Sequence, residues 1–268
     1  DIAVGALTMT SEREQRFDFS HPFYQTGLSI AVARAPKSGL LQSLRALFSW
    51  GFLSVVGGLA LLLLAGAARA ETMELVALGD SLTQGYGLME EEGFVPQLET
   101  WLTERGHDVD VINAGVSGDT TAGGLSRVEW SLGEETDAMI VALGGNDLLR
   151  GIDPAVSKEN LAGILDAAAS RDVPVLLAGL PAPGNYGAEF KNAFDAMYPD
   201  LAEAYDVPLY PNFLAALSEE EQSPEQMTRY MQSDGIHPTA EGVARIVEDI
   251  GPRVEDLLER ASAEAGPD

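Results

Sequence analysis

A serine, a histidine and an aspartate that could carry out nucleophilic catalysis stand far apart in this chain. Ser81 follows a short apolar segment, and His237 comes three residues after Asp234 in the sequence Asp-Gly-Ile-His-Pro. A serine hydroxyl is a weak nucleophile until a base takes its proton, and imidazole is suited to that task near neutral pH. Asp234 could hold the second ring nitrogen of His237 and so fix its tautomer. The pattern predicts acyl transfer with Ser81 as nucleophile, His237 as base and Asp234 as the orienting carboxylate.

Two further residues could stabilise the negative charge that develops on the substrate oxygen during acyl transfer. Gly115 can offer a backbone N–H, and Asn146 a side-chain amide that donates without titrating. Losing one such donor typically costs about 3 to 4 kcal/mol in the transition state. Taken singly, each motif also has a structural explanation. Ser81 could cap a helix, Asn146 could lie in a turn, and Pro238 could occupy the first turn of the last helix.

Short apolar segments alternate with longer amphipathic ones around these motifs, a pattern typical of a parallel sheet with crossover helices. The predicted strands are residues 74–78, 108–112, 138–143, 173–178 and 207–210. The predicted helices are residues 93–105, 121–131, 158–170, 188–205 and 239–261. Ser81, Gly115 and Asn146 each lie where one of the first three strands ends. Because reactive groups collect beyond the carboxyl ends of parallel strands, we expect them at one edge of the sheet.

The charge of the chain restricts its partners. The 268 residues contain 42 Asp and Glu against 16 Lys and Arg, a formal net charge of -26. Residues 71–268 hold 38 of the acidic and 10 of the basic residues, which gives -28 for that part. Such a surface repels phosphate backbones and anionic lipid head groups, so we predict no nucleic-acid partner. With no cysteine, the chain has neither disulfides nor thiolate metal ligands.

An uncharged stretch separates Arg45 from Arg69 and contains the apolar run FLSVVGGLALLLL at residues 52–64. Basic residues precede it, and Ala-Arg-Ala follows it directly before Glu71, as in a signal peptide with its cleavage site. We predict cleavage before Glu71 and a periplasmic or secreted protein. A retained membrane anchor stays open, because the stretch could cross about 30 Å of hydrocarbon. A buried helix is the third alternative.

The first 40 residues have a character of their own. The segment ALTMTSEREQRFDFSHPFYQTGLSIAV, residues 6–32, resembles part of the first lobe of periplasmic amino-acid-binding proteins and of prokaryotic glutamate-receptor-like channels. In that family the arginine matching Arg13 holds the ligand carboxylate, but a binding cleft needs a second lobe. We therefore expect a fragment without binding activity at 1–45, a signal peptide or membrane segment at 46–70, and a hydrolase domain at 71–268.

Four motifs in residues 73–250 together resemble the conserved blocks of the SGNH, or GDSL, hydrolases. These are Gly-Asp-Ser-Leu at 79–82, Gly115, Gly-Gly-Asn-Asp at 144–147, and Asp234-x-x-His237. The resemblance implies a flavodoxin-like three-layer α/β fold with a five-stranded parallel sheet and the three catalytic roles given above. It also implies an oxyanion hole from the N–H of Ser81, the N–H of Gly115 and Asn146. No metal or organic cofactor is implied.

Within that family, ALGDSLTQGYGL, NAGVSGDTTAGG, LGGNDLLRG and MQSDGIHPTAEG are most similar to the bacterial arylesterase, acyl-CoA thioesterase and lysophospholipase branch. Leu148 replaces the small residue usual there, and Leu148, Leu149 and Ile152 either line an acyl-chain site or pack against the next helix. The prediction is hydrolysis of small-molecule esters or thioesters through an acyl-Ser81 intermediate. A carbohydrate acetylesterase and a membrane-tethered solute-binding or channel-derived protein stay open. We expect membrane contact only through residues 46–70, if they are retained.

Overall fold

The computed structural model of the protein describes residues 2–5, 17–19, 29–33, 54, 57–58, 72–217 and 229–265. The chain divides into two compact units, Asp1–Arg69 and Ala70–Asp268. The described part of the first unit contains an antiparallel sheet of order β1-β3-β2, formed by Ile2–Gly5 (β1), Phe17–Phe19 (β2) and Ser29–Ala33 (β3). Arg13 and nearly all of the apolar run 52–64 lie outside the described residues. No helix in the described ranges is long and apolar enough to span a bilayer.

The described residues of the second unit contain one sheet of five parallel strands. These are Met73–Gly79 (β4), Val109–Gly115 (β5), Thr136–Ala142 (β6), Val175–Ala178 (β7) and Leu209–Tyr210 (β8). Their order, β5-β4-β6-β7-β8, is that of a flavodoxin-like sheet. Gly79 is paired with Gly115 on one side and with Ala142 on the other, so the three carboxyl ends are level. The predicted five-stranded parallel sheet is confirmed.

The last two strands are shorter than predicted because each is preceded by a proline. Pro174 and Pro208 have no N–H to donate to a neighbouring strand, although their carbonyl groups accept from Met139 and Leu177. The residues before them, Val173 and Val207, donate their N–H groups to the ends of the preceding helices. The segments predicted as strands at 173–178 and 207–210 therefore begin pairing two residues later.

Seven α-helices in the described part of this unit connect the strands or follow them. They are Ser81–Gln84 (α1), Phe94–Glu104 (α2), Thr121–Ser131 (α3), Gly145–Arg150 (α4), Pro154–Ala169 (α5), Ala188–Tyr205 (α6) and Ala240–Ala265 (α7). The helices at 121–131 and 188–205 have their predicted bounds. Helix α5 begins four residues earlier than predicted, because Asp153 caps it through the N–H of Ala155 and Pro154 suits the first helical position.

The sheet is buried between two helical layers. Side chains alternate between the two faces of a strand. In β4, Leu75 and Ala77 pack with α2 and α7, whereas Val76 and Leu78 pack with α3, α5 and α6. All four side chains are at most 1% exposed, which explains the uninterrupted apolar run of this strand. The predicted three-layer α/β fold is confirmed, and its rigid centre carries the loops that follow β4, β5 and β6.

Candidate active site

Ser81 stands where β4 ends and the short helix α1 begins. The carboxylate of Asp80 caps this helix, since its Oδ1 accepts the backbone N–H of Leu82 at 3.0 Å. The interpretation of Ser81 as the capping residue is therefore wrong, and its hydroxyl is available for other contacts. As the first residue of α1, Ser81 also has a backbone N–H with no acceptor inside the helix. Gly79 permits α1 to pack closely on the end of β4, because a Cβ there would lie 2.0 Å from Thr83 Oγ1.

Ser81, His237 and Asp234 form a continuous hydrogen-bonded series. His237 Nε2 lies 2.9 Å from Ser81 Oγ, and His237 Nδ1 lies 2.7 Å from Asp234 Oδ2. The other carboxylate oxygen of Asp234 accepts the backbone N–H groups of Ile236 and His237. The bond to His237, followed by these two N–H groups, lowers the pKa of Asp234 to about 2. At neutral pH this carboxylate is charged, and it requires that Nδ1 carry a proton.

The loop that carries His237 is held by other contacts than the sequence predicted. Pro238 does not lie in the first turn of the last helix, because α7 begins at Ala240 and Thr239 accepts the N–H of Gly242 through its hydroxyl. Pro238 instead forms an isolated antiparallel bridge with Met231. The loop is therefore held as a narrow hairpin before the helix.

A glutamine links this hairpin to the loop after α1. The side-chain nitrogen of Gln232 donates to the carbonyl groups of Tyr86 and Pro238, both at 2.9 Å, and its backbone N–H donates to the carbonyl of His237. The ring of Tyr86 packs on the imidazole of His237 with 4.6 Å between ring centroids. These contacts fix the imidazole relative to the helix that carries Ser81.

Gly115 does not occupy the position that the sequence predicted for it. Its backbone N–H donates to Asn113 Oδ1 at 3.0 Å, and it is not among the residues that line the cavity beside Ser81. A glycine is required there for packing, since a Cβ would lie 2.4 Å from the backbone nitrogen of Gln84. Gly115 is the last residue of β5, so its backbone N–H belongs to the strand rather than to the loop that follows.

Gly118 lies on the cavity wall instead. Its φ of +84° belongs to the left-handed region that favours glycine, and its carbonyl accepts a hydrogen bond from Arg150 at 2.8 Å. The sequence signal that could have identified it is its position. It is the glycine of the loop between β5 and α3, directly before Asp119 and the capping residue Thr120.

Residues 144–147 form the start of a helix rather than the turn that their sequence suggests in isolation. Gly144, with φ +120°, precedes α4, and a Cβ there would lie 2.2 Å from the Tyr198 hydroxyl. Asn146 lines the cavity, and its Nδ2 donates to Asp80 Oδ2 at 3.2 Å. The helix therefore brings an amide to the side of the cavity next to Ser81.

Asp147 has a structural role that its position in the sequence did not indicate. Its fully buried carboxylate accepts hydrogen bonds from the N–H and the hydroxyl of Thr121, at 2.8 and 2.6 Å, and from the Ser157 hydroxyl at 2.9 Å. These contacts join α4 to the beginnings of α3 and α5. Asp147 therefore anchors the helix that presents Asn146.

Asp80 is buried beside the reacting groups, with only 3% of its surface exposed. Burial raises its pKa to about 6, against the lowering effect of its hydrogen bonds from Leu82 and Asn146 and of nearby His237. This carboxyl is therefore charged at pH 7 and above although it lies in a poorly solvated place.

An apolar cavity of about 510 Å³ opens beside Ser81. Leu148 and Leu149 line it, whereas Ile152 does not, because α4 ends at Arg150 and the N–H of Ile152 turns back to the carbonyl of Asp147. Apolar lining residues that the sequence analysis did not identify are Leu82, Tyr86, Leu180, Pro181, Pro183, Leu214 and Ile236. They come from four separate segments of the chain.

These features define a class of protein. A serine hydroxyl bonded to an imidazole, with a carboxylate on the far ring nitrogen, is the arrangement of a serine hydrolase. It lies at the carboxyl edge of a parallel sheet, next to an apolar cavity suited to an organic acyl or aryl group.

Comparison with known proteins identifies the family. The sequence matches the GDSL-like Lipase/Acylhydrolase family over residues 77–245. It is 39% identical to Esterase TesA of Pseudomonas aeruginosa over 203 residues, which cover 75% of this chain and 96% of that protein. It is 34% identical to Thioesterase 1/protease 1/lysophospholipase L1 of Escherichia coli, over 73% of this chain and 89% of that protein.

A solved structure agrees with these relatives. The crystal structure of AlinE4, an SGNH-hydrolase family esterase, superimposes on this chain with a TM-score of 0.57 and 43% sequence identity. The match covers 75% of this chain and 100% of the AlinE4 chain. The chain therefore belongs to the GDSL-like lipase/acylhydrolase family, the SGNH hydrolases, and is a serine ester hydrolase that acts on small-molecule esters.

A much shorter match concerns another kind of protein. A segment of 35 residues is 51% identical to the ionotropic glutamate receptor NMDA 2C of Homo sapiens. The match covers 13% of this chain and 3% of the receptor. This confirms a partial resemblance to glutamate receptors and extends to no complete receptor domain.

Proposed function

We propose that Ser81 is the nucleophile of this esterase, with His237 as its general base and Asp234 as the group that orients His237. The observation that carries the proposal is the pair of distances, 2.9 Å from Ser81 Oγ to His237 Nε2 and 2.7 Å from His237 Nδ1 to Asp234. Ser81 Oγ attacks the ester carbonyl carbon while Nε2 takes the hydroxyl proton. The charged Asp234 stabilises the resulting imidazolium.

The reaction then proceeds in two displacements. The tetrahedral intermediate collapses, the alcohol or thiol leaves with the proton from Nε2 of His237, and an ester of Ser81 remains. Water attacks this acyl group and gives a proton to the same nitrogen. When the second tetrahedral intermediate collapses, the carboxylic acid is released and Ser81 regains its proton.

We propose three donors for the oxyanion of both intermediates. They are the N–H of Ser81, the N–H of Gly118 in place of Gly115, and the side-chain amide of Asn146. In support, all three residues line the same cavity, and Gly118 lies in a loop whereas the N–H of Gly115 is bonded to Asn113.

The acyl or aryl part of the substrate would lie against Leu148 and Leu149. The apolar cavity supports carboxylic esters and thioesters such as aryl esters, acyl-CoA or lysophospholipids over acetylated carbohydrate, since a sugar needs more polar partners than this lining offers. We expect no nucleic-acid partner, given the net charge of -26.

A covalent inhibitor tests the catalytic assignment. Wild type should bind a fluorophosphonate covalently and lose activity, whereas Ser81→Ala should form no adduct and hydrolyse 4-nitrophenyl butyrate near the background rate. Ser117 is the matched control, because its hydroxyl also lies on the cavity wall, 2.6 Å from Gln84 Oε1. Ser117→Ala should keep the adduct. Adduct and turnover that persist in Ser81→Ala would exclude Ser81 as the nucleophile.

We also propose that the enzyme is exported, with a fragment at 1–45, a signal peptide at 46–70 cleaved before Glu71, and a hydrolase domain at 71–268. In support, basic residues precede the apolar run 52–64 and Ala-Arg-Ala follows it. The intact mass of the protein from the periplasmic fraction of its native host should match a chain that begins at Glu71. A full-length mass in the membrane fraction would overturn this proposal and favour a retained membrane segment.

A further inference from the structure

Asp80 and Asn146 are joined by a hydrogen bond that links the helix of the serine to the helix of the amide donor. We propose that Asp80 is a positioning residue, whose carboxylate holds the Asn146 side chain with its nitrogen toward the oxyanion site. The inference rests on the proposed function, since it concerns how one of the three oxyanion donors is oriented.

The geometry leaves Asp80 little freedom. Its Oδ1 accepts the N–H of Leu82 at 3.0 Å as the cap of α1, and its Oδ2 accepts Asn146 Nδ2 at 3.2 Å. Gly145 permits this approach, because a Cβ there would lie 3.1 Å from the same Oδ2. The capping bond thus fixes the carboxylate in the place where it receives the amide.

A carboxylate determines which end of an asparagine faces it. It accepts hydrogen bonds and donates none, so only the nitrogen of Asn146 can pair with Asp80. The –NH₂ group has two hydrogens. One bonds to Asp80, and the other remains for the oxygen of the substrate. With the amide reversed, its carbonyl oxygen would face the oxyanion and repel it.

A direct effect of the Asp80 charge on His237 is the alternative to its action through Asn146. Asp80 interacts electrostatically with His237 on the last loop, Asp147 on α4 and Tyr198 on α6. Burial raises the pKa of Asp80 to about 6, so the carboxylate that orients the amide is present at neutral and alkaline pH. Removing this charge could alter His237 itself, and the experiment has to distinguish the two effects.

Asp80→Asn changes the charge while it keeps the cap. Asparagine caps helices as well as aspartate does, so α1 should stay intact. The new amide can donate to the carbonyl oxygen of Asn146 and so stabilise its reversed orientation. We expect kcat for 4-nitrophenyl butyrate at pH 8 to fall by roughly 10- to 100-fold, with KM changed less than about twofold, because the contact exists only in the transition state. Affinity for butylboronic acid, which forms a tetrahedral anion on the serine, should fall by a similar factor.

The matched control is Asp153→Asn, another capping aspartate, which accepts the N–H of Ala155 and lies outside the cavity lining. It should leave kcat and boronate affinity unchanged. Circular dichroism at the assay temperature verifies that both variants are folded.

A double-mutant cycle with Asn146→Ala decides the question. Asn146→Ala alone should lower kcat by on the order of 100- to 1000-fold, as loss of an oxyanion donor does. If Asp80 acts through Asn146, Asp80→Asn should have almost no further effect in that background. An equal loss in both backgrounds would overturn the inference and leave the proposed function intact. An unchanged kcat in Asn146→Ala would overturn the inference together with the role of Asn146, whereas the role of Ser81 is tested separately by the phosphonate adduct.

Discussion

Asp80 should lower the stability of the folded protein at neutral pH, and the effect can be measured by replacing it with asparagine. The pKa of this buried carboxyl is about 6 in the folded protein, against 3.8 as its ordinary value. A folded-state pKa above the unfolded one means that the unfolded chain binds fewer protons between pH 4 and pH 6. The free energy of unfolding therefore rises as the pH falls through 6 and levels off below the unfolded pKa.

The size of this effect follows from the difference between the two pKa values. About 2 pKa units at about 1.4 kcal/mol each give roughly 3 kcal/mol, which the wild type lacks at pH 8 and recovers as Asp80 is protonated. Asp80→Asn has no such titration and caps α1 equally well. The free energy of unfolding of Asp80→Asn minus that of the wild type should therefore be about 2 to 3 kcal/mol larger at pH 8 than at pH 4.

Urea unfolding of both proteins at pH 4, 5, 6, 7 and 8, followed by circular dichroism, measures this difference. Asp153→Asn serves as the control for replacing a capping aspartate. A stability difference between Asp80→Asn and wild type that stays constant across this pH range would refute the reasoning, because it would show that the carboxyl titrates alike in the folded and unfolded chains. A confirmed effect would mean that the protein keeps a destabilising charge beside Ser81.

Four further predictions concern the active site. Asp234→Asn should lower kcat on the order of 10⁴-fold with little change in KM, since the charge that stabilises the imidazolium is lost; a loss below tenfold in steady-state kinetics would contradict this role. Gly118→Ala should lower kcat because its φ of +84° is strained for alanine and its N–H would shift; unchanged kcat would favour another donor. Leu148→Ala should widen the cavity, and 4-nitrophenyl esters of increasing chain length should show a relative gain in kcat/KM for longer acyl groups; an unchanged profile would place the acyl chain elsewhere. Arg127→Lys should lower both kcat and Tm, because the guanidinium bonds to the carbonyl groups of Gly79 and Ala114 and to Asp119 in a fork that lysine cannot reproduce; a variant with wild-type Tm and kcat would show that this link is dispensable.

The central sheet was predictable because its signal is local. Runs such as residues 75–78 are apolar without interruption, and only a strand buried on both faces is expected to have that pattern at such a short length. The helix at 121–131 was predicted with its observed bounds, and in the structure the side chain of Thr120 caps its start. The starts of the last two strands, predicted at 173 and 207 and observed at 175 and 209, were less predictable. There a proline and the closing bond of the preceding helix together decide where pairing starts.

The catalytic series could be predicted by residue type, whereas its surroundings depend on contacts between distant parts of the chain. Gly115 and Gly118 are three residues apart, and only the end of β5 decides which of them lies on the cavity wall. The bond between Asp80 and Asn146 joins residues 66 positions apart. Leu180, Leu214 and Ile236 share the cavity lining although nothing in their local sequence connects them. Such details follow from the packing of α1 and α4, which periodicity does not reveal.

The central claim is that an ester of Ser81 forms during turnover, and mapping of the trapped acyl-enzyme tests it most directly. Wild type mixed with excess 4-nitrophenyl decanoate, quenched in acid within milliseconds and digested, should yield a decanoyl group on the peptide that contains Ser81, assigned to that residue by fragmentation. The same peptide from Ser81→Ala should carry no acyl group. Acylation of another residue that accumulates at the rate of nitrophenol release in the wild type would contradict the account.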